Sequence, residues 1–147
     1  MTRPIYETDQ SREAESRIAE TFAAFKSLRL VKLKFAYAVD YLLMGDTPKA
    51  FMEVKERHYD MDTLDRWGGF MLSLHKWSFG NLYAKDAGIH FVVVIKTTDG
   101  LWYHISKGEI DGISYGGRMD RNDPDDMEPV ILLKKHRFTP FDKGVSG

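Results

Sequence analysis

The run from Ile89 to Thr97, IHFVVVIKT, constrains the fold of this chain more than any other segment. Its centre is apolar at consecutive positions rather than alternate ones, so a strand built from it needs cover on both faces. That is the place of a central strand in a layered α/β fold. The Thr98-Asp99-Gly100 turn leads on to a further strand over Leu101 to Ser106. The covering helices can be read upstream. From Ser11 to Ser27, apolar residues Ala14, Ile18, Phe22 and Phe25 recur at helical spacing, and Ser11 or Asp9 stands where a cap is needed. A second helix is predicted over Phe70 to Asp86, apolar on more than one side, with Gly88 placed for a left-handed C-terminal cap.

Between the two helices, Leu30 to Tyr37 alternates as a strand, with Val31, Leu33, Phe35 and Tyr37 on one face and Lys32 and Lys34 on the other. A hairpin follows, with strands over Tyr41 to Met44 and Ala50 to Lys55 joined by Gly45-Asp46-Thr47-Pro48. Residues two apart on a strand share a face, so Glu53 and Lys55 point together while Met52 and Val54 point into a core. The turn folds Asp40 back towards Glu53. Two carboxylates and an ammonium group then converge. Carboxylate oxygens suit a hard divalent cation such as Mg2+, which can activate an attacking water and bind a phosphate. The Lys55 charge can orient that water or offset the charge that builds on phosphoryl oxygens. The stretch ERHYDMDTLDRWGG after the hairpin reads as a loop or a short helical turn.

An aspartate, a hairpin turn, and an acid and a lysine two apart on a strand together resemble the signature of the PD-(D/E)XK nuclease superfamily. Val39 stands where the family usually carries a proline. The element order also resembles that family over roughly Ser11 to Thr97: helix, three strands, helix, strand, with the motif on the second and third strands. The resemblance implies an α/β, restriction-endonuclease-like core with a mixed central sheet flanked by helices, in the order α-β-β-β-α-β plus extra C-terminal strands. One domain over residues 1–147 is expected. It implies a Mg2+-dependent deoxyribonuclease, with Mn2+ able to substitute, whose metal is held by Asp40, Glu53, Val54 and Glu15. Glu15 matches by face a glutamate that family members carry on the first helix; its other reading is a stripe-edge side chain that reaches to water. Catalytic roles fall on Asp40, Glu53, Lys55, Glu15 and Lys76. Lys76, with Ser73 second, matches the polar or basic side chain sent to the site by the helix after the E-x-K strand, and its other reading is a surface lysine beside core Trp77. The small size is similar to that of phage and archaeal Holliday-junction resolvases, which implies branched DNA as partner and a homodimer. The apolar breadth of the Phe70–Tyr83 segment, including Met71, Leu74, Phe79 and Leu82, points the same way unless later strands cover it.

Charge argues against a nucleic-acid partner on average, since 21 basic and 22 acidic residues give a net charge of -1. An average over faces leaves room for a basic one. The absence of cysteine excludes disulfides, thiolate zinc sites and a cysteine nucleophile, and fits a reducing cytoplasm. A polar, acidic N-terminus gives no secretory signal, and no apolar run has the length of a membrane span. None of the five histidines pairs at H-x-x-x-H spacing, and no phosphate loop, dinucleotide fingerprint or nucleophile elbow is present. His58, three after Lys55, reads as a loop residue or as a group near the phosphate. Lys107 to Pro129 reads as a glycine- and aspartate-rich connection, in which Arg118 and Arg121 beside Gly116 and Gly117 can contact DNA phosphates. Its acidic residues from Asp120 to Glu128 lack the spacing of a calcium loop. Val130 to Lys134 closes the list of strands before a polar tail. Two rival readings stay open: a non-catalytic binding member of the same fold, and an interaction protein whose acidic loop mimics DNA.

Overall fold

The computed structural model describes residues 9–33, 39–117 and 127–141. Within them the order is α1 (Asp9–Phe25), β1 (Arg29–Lys32), β2 (Tyr41–Met44), β3 (Pro48–Glu56), α2 (Met61–Arg66), β4 (Phe70–Ser73), α3 (Leu74–Ala87), β5 (His90–Thr97), β6 (Gly100–Ile105), β7 (Gly112–Gly117), β8 (Met127–Leu133) and β9 (Thr139–Phe141). A six-stranded sheet runs β1-β2-β3-β5-β6-β9, and a three-stranded sheet runs β4-β8-β7. The pairing of β3 with β5 is parallel and the other neighbours in the large sheet are antiparallel, so the sheet is mixed. This is the restriction-endonuclease-like arrangement expected of the chain.

The apolar run of β5 is covered on both faces, as its composition requires. Val92 and Val94 join Met52, Val54, Ile18 and Phe22 in one core beneath α1. Phe91, Val93 and Ile95 join Trp77, Phe70, Leu72, Ile131 and Leu133 in a second core beneath α3 and the small sheet. Each large apolar side chain buried this way stabilises the fold by roughly 1.5–3 kcal/mol. Helix α3 lies very close to the sheet because Gly80 faces Phe91; a Cβ built there would stand 2.4 Å from the ring. The helix ends as its sequence indicates, with Gly88 in the left-handed region at φ 70° and its N–H donating to Ala84.

Several expectations need correcting. Phe70 to Ser73 is a strand and not the first turn of the helix, and it pairs with β8 from Phe70↔Leu133 to Ser73↔Val130. Phe70 and Leu72 are buried while Met71 is exposed, a period of two that a short apolar run does not distinguish from helix. Two glycines with positive φ precede it, Gly68 (106°) and Gly69 (125°), and a Cβ on Gly69 would meet the Leu133 carbonyl at 2.8 Å. The glycines therefore admit the chain to the small sheet. The Lys107–Pro129 connection contains β7, and the polar tail contains β9, whose Phe141 is buried beneath α1. On β1, an edge strand, Leu30 packs against the α1 core and Leu33 against the other core, while Val31 stays exposed. Phe35 and Tyr37 lie outside the described residues, as do the side chains of Asp9 and Ser11. Most of the apolar surface of Phe70–Tyr83 is spent within the chain, with Met71 and Leu82 left exposed.

Gly80→Ala tests the close approach of α3. Alanine favours helix by about 1 kcal/mol over glycine, but the added methyl overpacks Phe91, typically at 1–3 kcal/mol. Thermal melting should show a lower Tm for the variant; an equal or higher Tm would show that α3 lies further from the sheet.

Candidate active site

Extended geometry sends Glu53 and Lys55 to one face of the large sheet and Met52 and Val54 to the α1 core on the other. The face that receives Glu53 is the one covered by α3 and the small sheet, so its carboxylate has no solvent exposure. The register of the hairpin then determines its neighbour. Tyr41 pairs with Met52 in the β2–β3 ladder, so the preceding residue, Asp40, comes opposite Glu53. The Asp40 carbonyl accepts a 2.9 Å hydrogen bond from the Leu33 N–H, which holds this strand end against β1.

A third element closes the site. Ser73 ends β4 and caps α3, its hydroxyl oxygen accepting from the Lys76 N–H at 3.5 Å. Lys76 then reaches the two carboxylates: its Nζ donates to Glu53 Oε2 at 3.1 Å and lies 3.5 Å from Asp40 Oδ1. Lys55 Nζ lies 3.5 Å from the same Glu53 oxygen. Burial pushes the Glu53 carboxyl up to about 7, with Asp40 adding to the effect and Lys55 and Lys76 opposing it. Two ammonium groups thus fail to offset the loss of water. For Lys76 the balance is reversed: burial disfavours its charge, but Glu53 and Asp40 outweigh burial and raise its pKa.

Glu53 Oε1 is buried and has no hydrogen-bond partner among the described residues. An orphaned carboxylate oxygen beside a second carboxylate has the donor chemistry that a hard divalent cation takes, so the residues present fit the metal that the fold family implies. Asp40 and Glu53 would hold it. Val54, whose side chain is buried in the α1 core, can contribute only through its main chain. Among the described residues no group of three acidic or histidine side chains is suited to a metal. Glu15 sits on α1, and its charge acts on Arg57.

Next to the two lysines opens a cleft of about 440 Å³, lined by Lys55, Arg57, Ser73, Lys76, Gly116 and Glu128 among others, and reaching the carboxylates through Lys55 and Lys76. Lys76 and Ser73 both line this cleft, and Ser73 is also the cap of α3. Arg118 and Arg121 lie outside the described residues, and His58 is an exposed loop residue. Arg57 was not anticipated, although its position four after Glu53 on the same strand pattern was a usable signal.

The family model described as a phage putative PDDEXK endonuclease matches residues 1–141. The chain belongs to this endonuclease family. No curated sequence matches it. Among solved structures, the fold of this PDDEXK member is similar to that of a Holliday junction resolvase from Archaeoglobus fulgidus, at 12% identity and a TM-score of 0.51 over 90% of this chain and 95% of that one.

Glu53 makes stability depend on pH in a direction unusual for a carboxylate. Its folded pKa, about 7, lies above its ordinary value of 4.5, so the native protein holds an extra proton between those limits. Its contribution is full below pH 4.5 and is lost as pH rises through 7, a change of roughly 3 kcal/mol. In EDTA, Glu53→Gln should therefore raise Tm at pH 8 and have little effect at pH 5. A Tm lowered at pH 8 would show that the lysines, not burial, dominate this carboxylate.

Proposed function

We propose that the chain is a divalent-metal-dependent DNA endonuclease, selective for branched DNA and working as a pair of copies in the host cytoplasm. The observation that carries this reading is the buried Glu53, its Oε1 left without a partner opposite Asp40 while lysines hold its other oxygen. Such a carboxylate costs stability, and a cation is the partner that would recover it.

Asp40 and Glu53 would hold the cation, which would supply Lewis acidity towards phosphoryl oxygens and lower the pKa of an attacking water. The protein's own groups do the rest. Asp40 and Glu53 orient their oxygens through the fixed register of β2 and β3, so little reorganisation is left for the reaction. Lys55, on the same strand face, presents a positive charge to the phosphate as negative charge grows on it. Lys76 holds Glu53 Oε2 and Asp40 Oδ1 in place and lines the cleft that would receive the DNA backbone. Ser73 fixes the start of the helix that carries Lys76. The small sheet walls the cleft and, with α3, keeps water from Glu53.

The preference for branched DNA draws support from the likeness of fold to the archaeal resolvase. Two strands must be cut to resolve a junction, and two-fold pairing of a small one-site chain provides the second cut. Exposed Leu82 on α3 is a candidate for that contact, tested by light scattering.

Cleavage should occur with Mg2+ and Mn2+, be weak with Ca2+ and stop in EDTA. Asp40→Asn, Glu53→Gln and Lys55→Ala should each reduce the rate by a factor of about 100 or more. A panel of linear, nicked, flapped and four-way DNA reads out shape selectivity. Cleavage that survives EDTA, or full activity of Glu53→Gln, overturns the chemistry; equal rates on all substrates overturn the preference for branches.

A further inference from the structure

Arg57 presents an electrostatic problem that the carboxylate site does not solve. Its guanidinium donates to two main-chain carbonyls, Glu56 at 3.1 Å and Met71 at 3.2 Å, and lies 5.0 Å over the ring of Phe70. Among the described residues, no carboxylate stands within ion-pair distance of it. Desolvation lowers its pKa, with the more distant Glu15 and Glu53 opposing the shift. A guanidinium carries five N–H donors in a rigid fork, so two carbonyl contacts leave donors to spare. The side chain also lines the cleft shared by Lys55 and Lys76. A partly desolvated cation with spare donors at a cleft wall is a site for an anion.

We propose that Arg57 binds a DNA phosphate next to the scissile one, and so sets the register of the strand in the cleft. The placement follows from strand geometry. Arg57 lies four residues beyond Glu53, a rise of roughly 13 Å along an extended chain, with Lys55 between them. Lys55 thus serves the phosphate at the carboxylates and Arg57 a neighbouring one. The bonds to Glu56 and Met71 and the Phe70 ring aim the fork before DNA arrives, which limits the entropy lost on binding. The role is one of binding and register, not of proton transfer or metal ligation. This inference rests on the reading of the chain as a DNA endonuclease.

The test is a double-mutant cycle on binding, measured in EDTA so that no strand is cut. Duplexes carrying a neutral methylphosphonate at successive positions are titrated against the unmodified chain, Arg57→Gln and Arg57→Lys. For the unmodified chain, one non-scissile position should lower affinity roughly tenfold. Arg57→Gln should lose affinity by a similar factor, lower the salt slope by about one, and show no further loss at that same position. Arg57→Lys should keep the slope, since it keeps the charge. Losses that simply add at every position, or an unchanged slope in Arg57→Gln, overturn the assignment and leave Arg57 as a brace between β3 and β4. The methylphosphonate scan needs no variant, so a badly folded Arg57→Gln does not rescue the proposal: if no non-scissile position matters to the unmodified chain, it fails. If DNA is bound and cut but Arg57 is uncoupled, only this inference falls; if the chain does not bind DNA at all, the endonuclease reading falls with it.

Discussion

A carboxylate placed between two core residues and closed off from water carries a desolvation cost of several kcal/mol, and the fold around Glu53 is organised by that cost. Lys55 comes from the same strand, Asp40 from the paired strand, and Lys76 from a helix that the small sheet helps to hold in place. Each element is short, and none makes the site alone. What the lysines do not offset remains as a carboxyl pushed up to about 7 and an oxygen without a partner. A carboxyl held in this state gives up stability, as groups at functional sites commonly do, and it is the group that the proposed cation would stabilise.

The route from packing to chemistry runs through register. Tyr41 opposite Met52 brings Asp40 opposite Glu53, and a slip of one residue would turn Glu53 towards the α1 core and Met52 towards the cleft. The apolar positions that flank the acids therefore specify the site as firmly as the acids do. Gly80 acts similarly at longer range, since the depth at which α3 settles on Phe91 decides how far Lys76 reaches.

Much of this was legible in the sequence. The hairpin declared itself by Gly45-Asp46-Thr47-Pro48 between two apolar runs, β5 by its consecutive apolar residues, and the end of α3 by Gly88. The boundary between β4 and α3 did not, because Phe70-Met71-Leu72 is equally apolar for strand and helix; only the long-range pairing with Ile131 and Leu133 selects the strand. Strand β7 was hidden for the same reason: Gly112-Ile113-Ser114-Tyr115 has weak propensity of its own and is fixed by β8. At the site, the pair Glu53 and Lys55 could be read from spacing, whereas Lys76 was offered only by resemblance to the family. The charge of Glu15 on Arg57 depends on where α1 settles on the sheet, and the setting of Arg57 depends on Met71 and Phe70 arriving from the small sheet. Neither is a local property of the chain.

Whether Asp40 and Glu53 form a cation site can be seen by anomalous diffraction from crystals soaked in Mn2+. A single strong peak is expected within coordination distance of Glu53 Oε1 and an Asp40 oxygen, absent in Glu53→Gln crystals. A peak that forms elsewhere, or one that persists unchanged without the Glu53 carboxylate, would contradict it.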